Sequence, residues 1–119
     1  IGKDPYKIKL KEDIESAWHD CKKYFDTQKK ITGAELYQYA SDLALDYNWE
    51  FGGEIAGHII GNYPHERLEK EDKTNYIHPN NPEDMFNKDK KGKVRNWILE
   101  IHFIDRKKQI GGFFEQLLV

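Results

Sequence analysis

Two histidines and two glutamates stand where chemistry could be done. His58 and His65 fall within Gly57-His58-Ile59-Ile60-Gly61-Asn62-Tyr63-Pro64-His65-Glu66, and Glu100 and Glu115 fall within two aromatic and branched runs near the end of the chain. The glycines around His58 let backbone pass close to other groups, which suits a site better than a plain core strand. The run Trp97 to Ile104 alternates, with Trp97, Leu99, Ile101 and Phe103 on one face and Ile98, Glu100, His102 and Ile104 on the other. Phe113 to Val119 is a second such run, and the polar Asp105 to Gln109 between them is short enough for a hairpin. Centring that hairpin between Lys107 and Lys108 makes partner numbers add to 215, so Glu100 faces Glu115 and His102 faces Phe113.

Like charges opposite each other across a strand pair repel, and a mostly apolar face raises the cost of ionising both. A shared proton, a nearby Lys or Arg, or a divalent metal would each relieve that cost. The oxygen and imidazole donors of Glu100 and Glu115 with His58 or His65 suit Mn, Fe, Co or Zn. Two carboxylates able to bridge are also typical of two-metal hydrolytic sites. His102 reads either as a group supporting that site or as a plain strand residue, and His78, before Pro79, reads as loop.

The elements that must position these groups are legible upstream. Leu10, Ile14, Ala17, Trp18, Cys21, Tyr24 and Phe25 keep to one helical face, with acidic residues early and Lys22 and Lys23 late, as the helix dipole favours. The residues before Leu10, with Gly2 and Pro5, read as irregular chain. Cys21 lies on the apolar face and reads as core rather than reactive. Thr32 followed by Glu35 is a capping box, and the helix it opens runs to about Tyr47 with Leu36, Ala40, Leu43, Ala44 and Tyr47 on its buried side. Two amphipathic helices in succession predict a sheet for them to cover, hence an α+β fold. Arg67 to Arg95 is long and polar, a loop of the functional or mobile kind, with Met85 and Phe86 its candidate anchors and Lys88 to Lys93 a solvated tip.

With 119 residues, 38% of them hydrophobic, the chain predicts one domain over residues 1–119 with a core of its own. Its net charge of −2 gives no basic excess for a phosphate backbone, so nucleic acid is not an expected partner. One cysteine allows no internal disulfide and fits a reducing compartment. No apolar run approaches the roughly 20 residues of a membrane span, and no signal-peptide pattern opens the sequence. A cytoplasmic protein without membrane association is expected. Position 1 is Ile rather than Met, which reads as a piece of something larger.

Taken together, the histidine stretch and the glutamate hairpin resemble the pita-bread metallopeptidases, the group of methionine aminopeptidase, aminopeptidase P, prolidase and creatinase. That family carries a Gly-His-Gly-Ile-Gly run with a His-Glu pair downstream, matched by Gly57-His58-Ile59-Ile60-Gly61 and His65-Glu66. Glu100 stands at the glutamate of the family's Glu-Pro-Gly strand and Glu115 at that of its final strand, in the family's order of helix, helix, site, strand, strand. The resemblance implies a pita-bread fold, or the C-terminal half of it, with two helices on a curved antiparallel sheet. It also implies His58, Glu100 and Glu115 as metal ligands, His65 hydrogen-bonding the scissile carbonyl or the tetrahedral intermediate, and Glu100 assisting as general base. The intact family site holds two divalent transition metals and removes an N-terminal residue from a peptide substrate. A Xaa-Pro peptidase is the preferred subtype.

The sequence also departs from the family. Ile101 and His102 replace Pro-Gly after Glu100, Phe113 and Gln116 stand where an Arg and an Asp are common, and no aspartate-bearing strand precedes the first helix. The expectation is therefore the C-terminal portion of a catalytic domain, inactive alone, whose exposed cut surface favours a homodimer. The alternative is a member of the fold that has lost its ligands and binds peptides or proteins.

Overall fold

Pro5 opens the first helix. Its fixed φ and missing N–H suit the first helical position, where the donor would have no intrahelical partner. Helix α1 therefore spans Pro5–Asp26, starting five residues before the apolar stripe that the sequence shows from Leu10. The computed structural model describes residues 5–60, 73–88 and 92–119. Leu10, Ile14, Ala17, Trp18, Cys21 and Phe25 form the buried side of α1. Helix α2, Gly33–Asp46, begins at the expected capping box: the Glu35 N–H donates to the Thr32 hydroxyl, and the Thr32 N–H donates to the Glu35 carboxylate, each at 3.1 Å. Its buried residues include Leu36, Ala40, Leu43 and Ala44, while Tyr47 caps its end and is only half-buried.

Four strands form one antiparallel sheet: β1 Glu50–Phe51, β2 Gly57–Ile59, β3 Trp97–Asp105 and β4 Ile110–Leu117. β3 is central, with β4 along one edge and β1 and β2 following each other along the other. Partner numbers add to 154 between β1 and β3 and to 156 between β2 and β3, so two extra residues sit between β1 and β2. β1 and β2 thus behave as one strand interrupted after Gly52, whose N–H still donates to the His102 carbonyl at 2.8 Å. The Tyr37 hydroxyl of α2 donates to the Gly53 carbonyl at 2.8 Å and ties this interruption to the helix.

α1 covers β4 and the face of β3 that carries Trp97, Leu99, Ile101 and Phe103, α2 packs on α1 and β1, and all four β3 side chains are buried. The three tryptophans enter this core with their indole N–H groups satisfied. Trp18 donates to the Leu99 carbonyl at 2.8 Å, Trp97 to the Met85 carbonyl at 2.9 Å, and Trp49 to the Asp13 carboxylate at 2.8 Å. The hairpin closes between Lys107 and Lys108, where the Asp105 carboxylate accepts from both backbone N–H groups at 2.9 and 3.2 Å. The two-helix, antiparallel α+β architecture is that expected from the sequence.

The polar region after residue 72 differs from the expected loop. Ile77, Asn81 and Met85 are buried within it. Asn81 donates to the Tyr76 carbonyl at 2.8 Å and accepts from the Glu83 N–H at 2.9 Å. Met85 is thus an anchor as expected, whereas Phe86 stays exposed and stacks obliquely on Phe25 at 4.9 Å.

Burial, reinforced by the neighbouring Asp20, pushes the Cys21 thiol up to about 12. The folded thiol keeps its proton at pH values where the unfolded one loses it. Its contribution to stability is complete below the ordinary thiol pKa of 9.0 and is lost as pH rises toward 12. Between pH 9 and 10, urea unfolding of the native sequence is expected to lose up to about 1.4 kcal/mol per pH unit from this group. In Cys21→Ala that slope should disappear, and an unchanged slope would assign the loss elsewhere.

Candidate functional site

The open face of the sheet gathers three of the four candidate residues. β3 and β4 pair in the register expected from the hairpin, with Glu100 opposite Glu115 and His102 opposite Phe113. The Leu118 N–H donates to the Trp97 carbonyl at 2.7 Å, which fixes the phase of the ladder. In that phase Glu100 and Glu115 form a pair not bonded to each other, with Cα atoms about 4.5 Å apart and side chains drawn together. On the far edge of β3, His58 lies opposite Ile98, so it shares the face of Glu100.

Three cross-strand rows result. His102 and Phe113 form the first, their rings edge to face at 6.4 Å. The two carboxylates form the second. Leu117 and Ile98, extended across β3 by His58, form the third. Phe113 is 62% exposed and Leu117 57%, so the carboxylates lie between apolar groups open to solvent.

The His58 ring has a hydrogen-bonding contact of its own. Its Nδ1 lies 2.9 Å from the Ile59 carbonyl oxygen. A carbonyl can only accept, so Nδ1 is the donor, and in the neutral ring Nε2 is the nitrogen that bears the lone pair. The backbone on either side is held twice. β2 pairs with β3, and on its other side the Ala56 N–H donates to the Ile77 carbonyl at 2.8 Å and the Ile77 N–H to the Gly57 carbonyl at 3.0 Å. Gly57 adopts φ +141, and a Cβ there would run into the Ile98 carbonyl oxygen and crowd the Ile77 side chain.

Among the described residues, no Lys or Arg forms an ion pair with Glu100 or Glu115. The relief expected from a nearby basic residue is therefore not what these residues supply. Glu115 is exposed and Glu100 half-exposed. Two unit charges about 5 Å apart repel by roughly 1 kcal/mol in water and about 3 at an effective dielectric of 20. Solvent moves this pair toward the lower figure, so the repulsion is smaller than an enclosed apolar face would produce.

Whether these donors suit a metal depends on convergence. His58 and Glu115 stand two strand spacings apart, about 9–10 Å between backbones. Among the described residues, no three His, Cys, Asp or Glu side chains group as a metal holder. Glu100 and Glu115 are adjacent, with His58 diagonal to Glu100 rather than beside both. His65 and Glu66 lie outside the described residues. His102 has a position the sequence left open: its ring lies over Gly52, where a Cβ would be 3.2 Å from its Cε1. His78 accepts the Asn80 N–H at 3.0 Å, a loop role as expected. The support of His58 by Tyr76 and Ile77 was missed in the sequence, where isolated apolar residues carry no period. Comparison with models of protein families, with curated proteins and with solved structures finds no match.

The glycine before His58 gives a direct check. Gly57→Ala combines a disfavoured φ with a backbone collision and is expected to destabilise the chain on the order of 3 kcal/mol. Gly92→Ala, at φ +78 with open space around it, should cost only about 1 kcal/mol. Urea denaturation of the two variants measures the difference, and equal losses would mean that the close approach of Gly57 to β3 is unimportant.

Proposed function

We propose that this chain is the C-terminal portion of a pita-bread metallopeptidase catalytic domain that hydrolyses N-terminal peptide bonds, with Xaa-Pro peptides as the preferred substrate class. The observation that carries the reading is the Glu100–Glu115 pair on an open sheet face shared with His58. The cofactor in this proposal is a divalent transition metal, Mn, Co, Fe or Zn. Carboxylate oxygens and the Nε2 lone pair of His58 are suitable donors for it.

The described residues do not form a complete cage, so Glu100 and Glu115 enter as a two-carboxylate holder with His58 at its margin. Glu100 is the carboxylate able to accept a proton from an attacking water. His65 is assigned to the scissile carbonyl on the strength of the motif alone. The remaining donors belong to the aspartate strand that the family carries, and the chain alone is proposed to be inactive. A second reading, a peptide-binding module without catalysis, draws on the exposure of Phe113 and Leu117 on either side of the carboxylates.

Titration of the chain with MnCl2 or CoCl2 in a calorimeter separates the two. The peptidase reading expects one weak site, with affinity reduced at least tenfold, about 1.4 kcal/mol, in Glu100→Gln and also reduced in His58→Ala. The absence of heat with either metal would favour the module. Full turnover of a Xaa-Pro peptide by the purified chain would overturn the assignment as an incomplete site.

A further inference from the structure

The outer edge of β4 raises a question independent of the peptidase reading. Among the described residues, β4 pairs only with β3, so its second edge is open over Ile110–Leu117. Even-numbered β4 residues direct their backbone groups to β3, as the Leu118 donation to Trp97 shows. The N–H and C=O groups of Gly111, Phe113, Glu115 and Leu117 therefore face outward. Exposed edges are usually blunted by proline, lysine, bulges or a short strand. β4 has eight residues, no proline, no basic residue and a single charge at Glu115. A groove of about 540 Å³ runs beside it against α1, lined by Leu10, Ile14, Gly112 and Phe114 among others.

We propose that this edge pairs antiparallel with the same edge of a second copy of the chain, about a two-fold axis through Phe113, so that two sheets become one. An axis normal to the sheet keeps each open face on its own side, so odd residues must meet odd residues. Size and charge select among the registers that remain. Pairing Glu115 with Glu115 sets like charges opposite each other. Pairing Phe114 with Phe114 crowds two rings on the α1 side. Pairing Phe113 with Phe113 places Phe114 of each copy opposite the other copy's Gly112 and Glu115 opposite Gly111. Phe114 and Glu115 then each meet a glycine, while the two Phe113 rings meet each other on the open face. The half-buried Phe114, edge to face with Trp18 of its own chain at 5.9 Å, then borders the other copy's Gly112, whose nearest side chains are Ile14 and Leu10. The 62%-exposed ring of Phe113 is covered at the axis.

Sedimentation equilibrium of the whole chain at micromolar concentration should give twice the 14.1 kDa of one chain. Phe113→Lys, which sets two ammonium groups opposite each other, should return the mass to a monomer with an unchanged circular dichroism spectrum. Should that variant unfold, cysteine pairing decides the question separately. Phe113→Cys should cross-link between chains on oxidation, because hydrogen-bonded partners lie about 5.5 Å apart at Cα, within disulfide reach. Glu115→Cys should not, and the buried Cys21 does not compete. A monomeric native chain, or cross-linking through position 115 instead of 113, overturns the proposal.

Discussion

The central strand β3 is hydrogen-bonded along both edges, to β1 and β2 on one side and to β4 on the other, and this decides what its two faces can be. With its backbone groups committed to neighbours, β3 can bury side chains without leaving polar groups stranded. Trp97, Leu99, Ile101 and Phe103 take that opportunity under α1. The Leu99 carbonyl even receives the Trp18 indole, so the covering helix is fixed to the strand by a directional bond as well as by area. The opposite face follows from strict alternation. Ile98, Glu100, His102 and Ile104 must share it, and polar and apolar groups become neighbours whatever their use.

That constraint also separates the strong part of the case for a site from the weaker part. A carboxylate pair enclosed by apolar side chains would need a counter-charge. Here the pair is partly in solvent, and roughly 1 to 3 kcal/mol of repulsion is within what a folded domain tolerates. Stability alone therefore does not require a cation at Glu100 and Glu115. The argument for one rests on donor arrangement: two adjacent carboxylates, a histidine whose Nδ1 is engaged by a local bond, and no lysine or arginine paired with either glutamate among the described residues.

The features legible in the sequence were those set by local rules. The capping box at Thr32 and Glu35 specifies a helix start by side-chain chemistry within four residues. The hairpin register follows from the turn at Lys107 and Lys108 and from alternation, so the Glu100–Glu115 pairing could be derived before any coordinates. Features set by distant contacts were not legible. The interruption between β1 and β2 needs β3 as a template, and two residues of strand next to two glycines have no period to detect. Ile77, Asn81 and Met85 lie four residues apart in a polar stretch broken by Pro79 and Pro82, and only their destinations reveal them as core. Pro5 punctuates a sequence, yet at a first helical position it begins the element it would break elsewhere.

The same contrast between local and distant control applies inside the candidate site. Glu100 sits on the strand held from both edges, while Glu115 sits on β4, which is held from one edge among the described residues. His58 belongs to a three-residue strand too short to define its own position, and it gains that definition from outside. β3 supports one side, the Tyr76–Ile77 backbone supports the other, and Asn81 in turn holds the Tyr76 carbonyl. The segment that reads as loop is therefore part of what orients the histidine. Gly57 is the point where these supports meet, because only a residue without a side chain lets β2 lie this close to Ile98 while Ile77 packs behind it. The glycine beside His58 serves the placement of the histidine as much as any approach by a ligand.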